Sequence, residues 1–164
     1  MIEIVKADDE RQFKSIESLA DEIWRQHYTP IIGIDQVKYM LKRFQSIEAI
    51  QQQIQDGFLY FILKFKSEEA GYISIKKDKE ALFLSKIYVL KSLRGHGIGK
   101  KAMDFIERKA QETHCTSIQL TVNKNNVNSI KVYENMGFVK EADIIIDIGN
   151  GFVMDDYRMR KGIK

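Results

Sequence analysis

Three glycines at alternate positions, Gly95, Gly97 and Gly99, stand beside Arg94, His96 and Lys100 in the segment Lys91-Ser92-Leu93-Arg94-Gly95-His96-Gly97-Ile98-Gly99-Lys100-Lys101. Glycine admits positive φ and lets a ligand come close to the main chain. At a helix start the first N–H groups have no acceptor inside the helix, and an anion satisfies them. The chemistry these residues offer is the cradling of a phosphorylated ligand.

The flanking elements support that reading. Ala81 to Leu90 has the length and the aromatic and β-branched content of a strand. Beyond the glycines, Ile98, Ala102, Phe105, Ile106 and Ala110 recur at helical spacing, with Lys100, Lys101, Glu107 and Arg108 on the wet side. A strand, a glycine turn and a helix also describe P-loops and dinucleotide folds. The P-loop fails because Gly99-Lys100 is followed by Lys101 rather than Ser or Thr. The dinucleotide fingerprint lacks its acid, since none closes the next strand, Ser117 to Val122. A plain strand-to-helix turn is the bland alternative.

A second segment narrows the choice. Asn123 to Val139 reads as an asparagine-capped helix carrying Val127, Ile130 and Tyr133, stopped by Gly137 and followed by a strand. Arg94-x-x-Gly97-x-Gly99 after Ile87-Tyr88-Val89, then Asn126-x-x-Ser129-x-x-x-Tyr133-Glu134-x-x-Gly137-Phe138, resembles the two signature motifs of the GNAT superfamily of acetyl-CoA-dependent N-acetyltransferases in order and spacing. The motif-bearing part runs from residue 81 to 139.

The resemblance implies an α/β (α+β) fold: a mixed central sheet of about seven strands, splayed between the fourth and fifth and flanked by helices. It implies acetyl-CoA as cosubstrate, with its pantetheine arm in the splay, paired to main-chain groups of Ile87 and Val89. The backbone N–H groups of Arg94, Gly95, His96, Gly97, Ile98, Gly99 and Lys100 then hold the pyrophosphate, Arg94 adding charge and His96 a neighbouring ring. Asn126 and Ser129 become cofactor contacts, and Tyr133 the acid that protonates the leaving thiolate. Val89 N–H is the candidate donor to the thioester oxygen.

The expected reaction is direct attack of a primary amine on acetyl-CoA in a ternary complex. Such an amine, with a pKa of about 10, must first lose a proton. Many relatives carry a glutamate on the fourth strand for this, whereas here Phe83, Ser85 and Lys86 occupy it. Glu22, His27, Tyr28, Asp155 and Asp156 are within sequence reach of an acceptor pocket, but each also fits a surface or packing role. Trp24, Tyr28, Pro30 and Ile31 offer an apolar wall, and Asp143, Asp147, Asp155 and Asp156 negative charge, which suits a small cationic amine such as a polyamine over a protein amine. The missing glutamate also keeps open a catalytically silent acyl-CoA-binding regulatory module.

The rest of the chain fits one domain over residues 1–164. Ile2–Lys6 reads as a strand, Ala7 to Glu10 opens a helix interrupted by Thr29 to Gly33, Asp35 caps a second helix and Ser46 a third through Gln55. Strands at Phe58–Phe65, Ala70–Lys76 and Ala81–Leu90 form a meander, with later ones at 117–122, 138–148 and 152–160. Hydrophobic content of 44% and charged content of 30% suit a globular chain, and a net charge of +3 from 26 basic and 23 acidic residues gives no case for nucleic acid. The single cysteine, Cys115, precludes an intrachain disulfide. No secretory h-region and no long apolar run appear, so no membrane partner and a cytoplasmic location are expected. Relatives commonly pair as homodimers, and Ile144-Ile145-Ile146 is the candidate edge contact.

Overall fold

Asp9 fixes where the first long helix begins: its Oδ1 accepts from Gln12 N–H at 2.9 Å, while Gln12 Oε1 accepts from Asp9 N–H at 3.2 Å. A computed structural model describes residues 1–163. Helix α1 spans Glu10–Ile32 and buries Phe13, Ile16, Leu19, Ala20, Ile23 and Trp24, three or four residues apart. The expected interruption at Thr29–Gly33 does not occur. The helix runs through Pro30, and Gly33, whose N–H still donates to Thr29 C=O, ends it at φ +85°. Asp35 therefore lies inside the first turn of α2 (Ile34–Gln45), whose cap is Gly33. Ser46 caps α3 (Ile47–Gln55) as expected, its Oγ accepting from Ala49 N–H.

The strands are β1 (Ile2–Lys6), β2 (Leu59–Phe65), β3 (Glu68–Asp78), β4 (Ala81–Val89), β5 (Ser117–Asn123), β6 (Val139–Gly149) and β7 (Phe152–Gly162), with α4 (Ile98–Glu112) and α5 (Val127–Asn135) between them. They form a seven-stranded mixed sheet in the order β1-β2-β3-β4-β5-β7-β6, the expected fold class. The parallel β4–β5 register joins Ala81–Phe83 to Ser117–Gln119 and then stops. The pairing ends at the position where the sequence led us to expect the splay, although both strands continue beyond it.

Two compact units divide the chain within β3 and β4. The first comprises Met1–Lys76 and Leu84–Ile106. In it, antiparallel strands β1 to β3 carry Tyr60, Ile62, Tyr72 and Ser74 on one face, where Tyr60 and Tyr72 bond to side chains of α2 and α3. Phe61, of opposite parity, meets Phe105 of α4 edge-on at 4.9 Å. The second unit comprises Lys77–Phe83 and the chain from Glu107 onward. There β7 pairs antiparallel with both β5 and β6, and Ile118, Leu120, Val122, Phe138 and Met159 are buried. In sheet order β6 is an edge strand, and its Ile145 and Ile146 are exposed. Among the described residues no helix is long and apolar enough to cross a membrane.

Candidate active site

The two edges of β4 differ. Toward β3, Leu90 N–H donates to Ala70 C=O at 2.7 Å, and a Cβ added to Gly71 would lie 2.0 Å from the Tyr88 carbonyl oxygen. Main-chain groups alternate in direction along a strand, so with Tyr88 and Leu90 turned to β3, those of Ile87 and Val89 turn to the opposite edge. The β5 register has ended before that point. Ile87 and Val89 therefore offer N–H and C=O groups to a ligand.

After β4 the chain makes a single 3₁₀ turn, Lys91–Leu93, closed by Leu93 N–H to Leu90 C=O at 3.0 Å and Arg94 N–H to Lys91 C=O at 3.3 Å. Gly95 and Gly97 follow at φ +87° and +77°, which glycine adopts without strain. The first intrahelical bond of α4 runs from Lys101 N–H to Gly97 C=O at 3.1 Å. Among the described residues, the N–H groups of Gly95, His96, Gly97, Ile98, Gly99 and Lys100 thus have no backbone acceptor. Arg94 departs from expectation, because its own N–H closes the 3₁₀ turn and only its exposed guanidinium is available. Ile98 is buried, so it contributes main chain rather than side chain. The His96 ring stacks on Phe65 at 4.8 Å, and Lys100 is exposed and pairs with Asp104. Beside Gly95, Gly97 and Gly99 an added Cβ would meet nothing within 4 Å.

One aromatic cluster lies along β4. The Tyr88 ring is 5.7 Å from Trp24, 6.2 Å from Tyr28 and 5.5 Å from Tyr72, and the Tyr28 and Tyr88 hydroxyls are hydrogen-bonded at 2.9 Å. His27 packs edge-on to Tyr28, and burial, then the Arg94 charge, hold its pKa below the usual value. Lys86 shares the parity of Tyr88. It is half-buried, its Nζ donates to Ser85 Oγ at 2.8 Å, and burial lowers its pKa to about 8. Sequence reasoning passed over Tyr88 and gave Lys86 no role, although a lysine amid the apolar residues of a strand was a usable signal.

In the second unit, Asn126, Ser129 and Tyr133 fall three and four residues apart on and before α5, which puts them on one side of it. Asn126 is buried at the N-cap position, yet its side chain makes no capping bond; its carbonyl accepts from Ile130 N–H instead. Ser129 and Tyr133 are half-buried, and the Tyr133 ring meets Phe138 at 5.8 Å. Val127, expected on the apolar side, is 66% exposed. The acidic group resolves into different members. Lys124 Nζ lies 3.2 Å from Asp143 and 2.9 Å from Asp155, and Asp147 Oδ1 accepts from Gly149 N–H. Asp156 is buried, and its pKa is raised to about 6, by burial first and the Asp155 charge second, with Lys124 opposing.

Comparison with known proteins completes the picture. Residues 16–138 match the acetyltransferase (GNAT) family. The chain belongs to the GNAT family. It is thus an acyltransferase that uses acetyl-CoA. An uncharacterized N-acetyltransferase from the pepI 3' region of Lactobacillus delbrueckii subsp. lactis is 23% identical over 137 residues, covering 79% of each chain. N-alpha-acetyltransferase 30 of Saccharomyces cerevisiae is 26% identical over 137 residues, covering 80% of this chain and 72% of the relative. The crystal structure of the PaiA N-acetyltransferase from Thermoplasma acidophilum, in complex with coenzyme A, superposes with a TM-score of 0.81 at 20% identity over 99% of both chains. The glycine cradle fits the GNAT cosubstrate, because it has unbonded N–H groups where phosphate is negative and open space where side chains would intrude.

Proposed function

We propose that this GNAT enzyme acetylates a small primary amine, a polyamine rather than a protein amine, by direct attack in a ternary complex in the cytoplasm. The observation that carries the cosubstrate half is the run of N–H groups from Gly95 to Lys100 without backbone acceptors, opening a helix. These groups would hold the pyrophosphate, with the Arg94 guanidinium beside them, and Ile87 and Val89 would pair with the pantetheine amides. Bound acetyl-CoA supplies an activated acyl carbon. Val89 N–H donates to the carbonyl oxygen as charge develops there, Asn126 and Ser129 contact the cosubstrate, and the Tyr133 hydroxyl protonates the departing sulfur.

A cationic acceptor is supported by the half-buried Tyr28 and Tyr88 rings, since aromatic faces attract an ammonium, with the buried Trp24 packed behind them. The name of the yeast relative favours a second reading, a peptide N-terminus. Thermal stabilisation by acetyl-CoA and CoA but not by NAD or ATP, followed by thiol release with polyamines, amino acids and a peptide, tests both. Thiol release with the peptide alone would replace the polyamine reading. Stabilisation by CoA species without thiol release from any amine would leave a binding module. For Tyr133→Phe, thiol release should fall about a hundredfold while the Kd for CoA stays unchanged.

A further inference from the structure

We propose that Asp156 is the general base of the reaction, the carboxylate that receives the acceptor's ammonium and removes its proton. The assignment rests on the acetyl-transfer reading above and supplies a carboxylate, a group that β4 (Ala81–Val89) does not contain.

Asp156 is 3% exposed, and among the described residues no hydrogen-bond donor or ion-pair partner meets its carboxylate. A largely buried carboxylate without a partner is costly, and such groups persist where function requires them. The three other acidic residues of this region differ: Lys124 bridges Asp143 and Asp155, and Asp147 bonds within its own loop. Asp156 alone is left for a cation from outside.

Its place in the ladder is equally specific. Asp156 is the register partner of Asn123, the last residue of β5. Paired residues of an antiparallel ladder share a face, so Asp156 lies with Asn123, Thr121 and Arg158. Lys161, of the other parity, pairs with Glu107 of α4 on the opposite face. Directly after Asn123 the chain turns, with Asn126 N–H donating to Asn123 C=O, and enters the helix that carries Ser129 and Tyr133. The charged groups around it are Asp155 on its own strand, Lys124 after β5, and Arg158, which is held by Glu141 of β6. Burial makes the carboxyl a stronger proton acceptor than a solvated aspartate, with a pKa of about 6.

The step balances. The acceptor ammonium gives one proton to Asp156, and its freed lone pair attacks the thioester carbon. A C–N bond forms and the C–S bond breaks. The thiolate takes a proton from Tyr133, which recovers one from the acylated nitrogen, and Asp156 returns its proton to solvent.

The test uses Asp156→Asn and Asp156→Ser in the full chain, with the best primary alkylamine of the panel and its fluorinated analogue, whose weakly basic nitrogen is neutral at pH 7. With the basic amine, kcat/KM should fall about a hundredfold or more, while the Kd for acetyl-CoA stays within about twofold. With the fluorinated amine, which needs no base, the variants should retain most of the parental rate, and the acid limb of the parental pH profile should vanish. Equal losses with both amines, or no loss with either, would overturn the assignment. An inactive parent would instead refute the acetyl-transfer reading, and the base assignment would fall with it.

Discussion

Glycine serves opposite purposes beside β4 and in the loop that follows it. On the β3 edge, Gly71 lets two backbones close on each other, and its missing Cβ leaves room for the Tyr88 carbonyl at 2.0 Å. Just past this same end of the strand, Gly95, Gly97 and Gly99 face space that no protein atom fills within 4 Å. Crowding at Gly71 concerns the fold, and vacancy at the loop concerns a ligand. The sharpest way to break this contrast is Gly71→Ala. A clash with backbone has no flexible side chain to absorb it, so destabilisation of about 3 kcal/mol or more is expected in urea unfolding. A normal midpoint would mean that β3 and β4 are not held this tightly.

One buried polar network of the first unit contrasts with a single buried carboxylate of the second. In the first unit the Tyr72 hydroxyl donates to Gln45 Oε1 at 2.5 Å, Gln45 Nε2 donates to the Tyr60 hydroxyl at 3.0 Å, and that hydroxyl donates to Gln53 Oε1 at 2.5 Å. Gln53 Nε2 ends the chain on Phe44 C=O at 2.8 Å. Burial pushes Tyr60 up to about 12 and holds Tyr72 well above its ordinary value, so both remain neutral donors. Each of these groups is satisfied, as a structural network must be. Gln45→Ala would strip two buried hydroxyls of a partner and leave a cavity, at a cost of about 2–4 kcal/mol in thermal or urea unfolding.

Asp156 in the second unit is the counter-case, and its stability effect has the opposite sign. Its folded pKa of about 6 lies above the unfolded value of 3.8, so the folded state binds the proton more tightly. The stability this contributes is complete below pH 3.8 and is lost as pH rises through 6. Above that the native carboxylate is a burden. Asp156→Asn should therefore stabilise the protein at pH 8 by about 1–3 kcal/mol, with the gain fading toward pH 4. A variant at once more stable and less active is the signature of a functional residue. A destabilised Asp156→Asn would place Asp156 with Gln45 as part of the fold.

What the sequence disclosed follows from how local each feature is. The glycine cradle, the strand before it and the helix after it are contiguous, so residue order alone exposed them. The course of α1 through Pro30 was hidden because proline and glycine together look like a break, whereas only Gly33 takes positive φ. Asn126 occupies the N-cap position as its type suggested, but its side chain makes no capping bond, and its carbonyl only accepts the first bond of the helix. Trp24, Tyr28 and Tyr88 are scattered in sequence, and only tertiary packing joins them. Asp156 was one of several acids until the ion pairs of its neighbours set it apart.

The smallest expected change in stability belongs to Gly99→Ala, and it refines the contrast best. Gly99 sits in the first turn of α4 without the positive φ of Gly95 and Gly97, and no atom obstructs a methyl there. Alanine is a better helix former than glycine by up to about 1 kcal/mol, so the melting temperature should hold or rise slightly. Nothing in the fold therefore calls for glycine. If the space belongs to a pyrophosphate gripped by the main chain, the added methyl stands in it, and the Kd for CoA should rise about tenfold, equivalent to ~1.4 kcal/mol. Calorimetric titration beside a melting curve separates the two effects. Unchanged affinity would move the phosphate away from Gly99 and leave Gly95 and Gly97 as the sole glycines of the cradle.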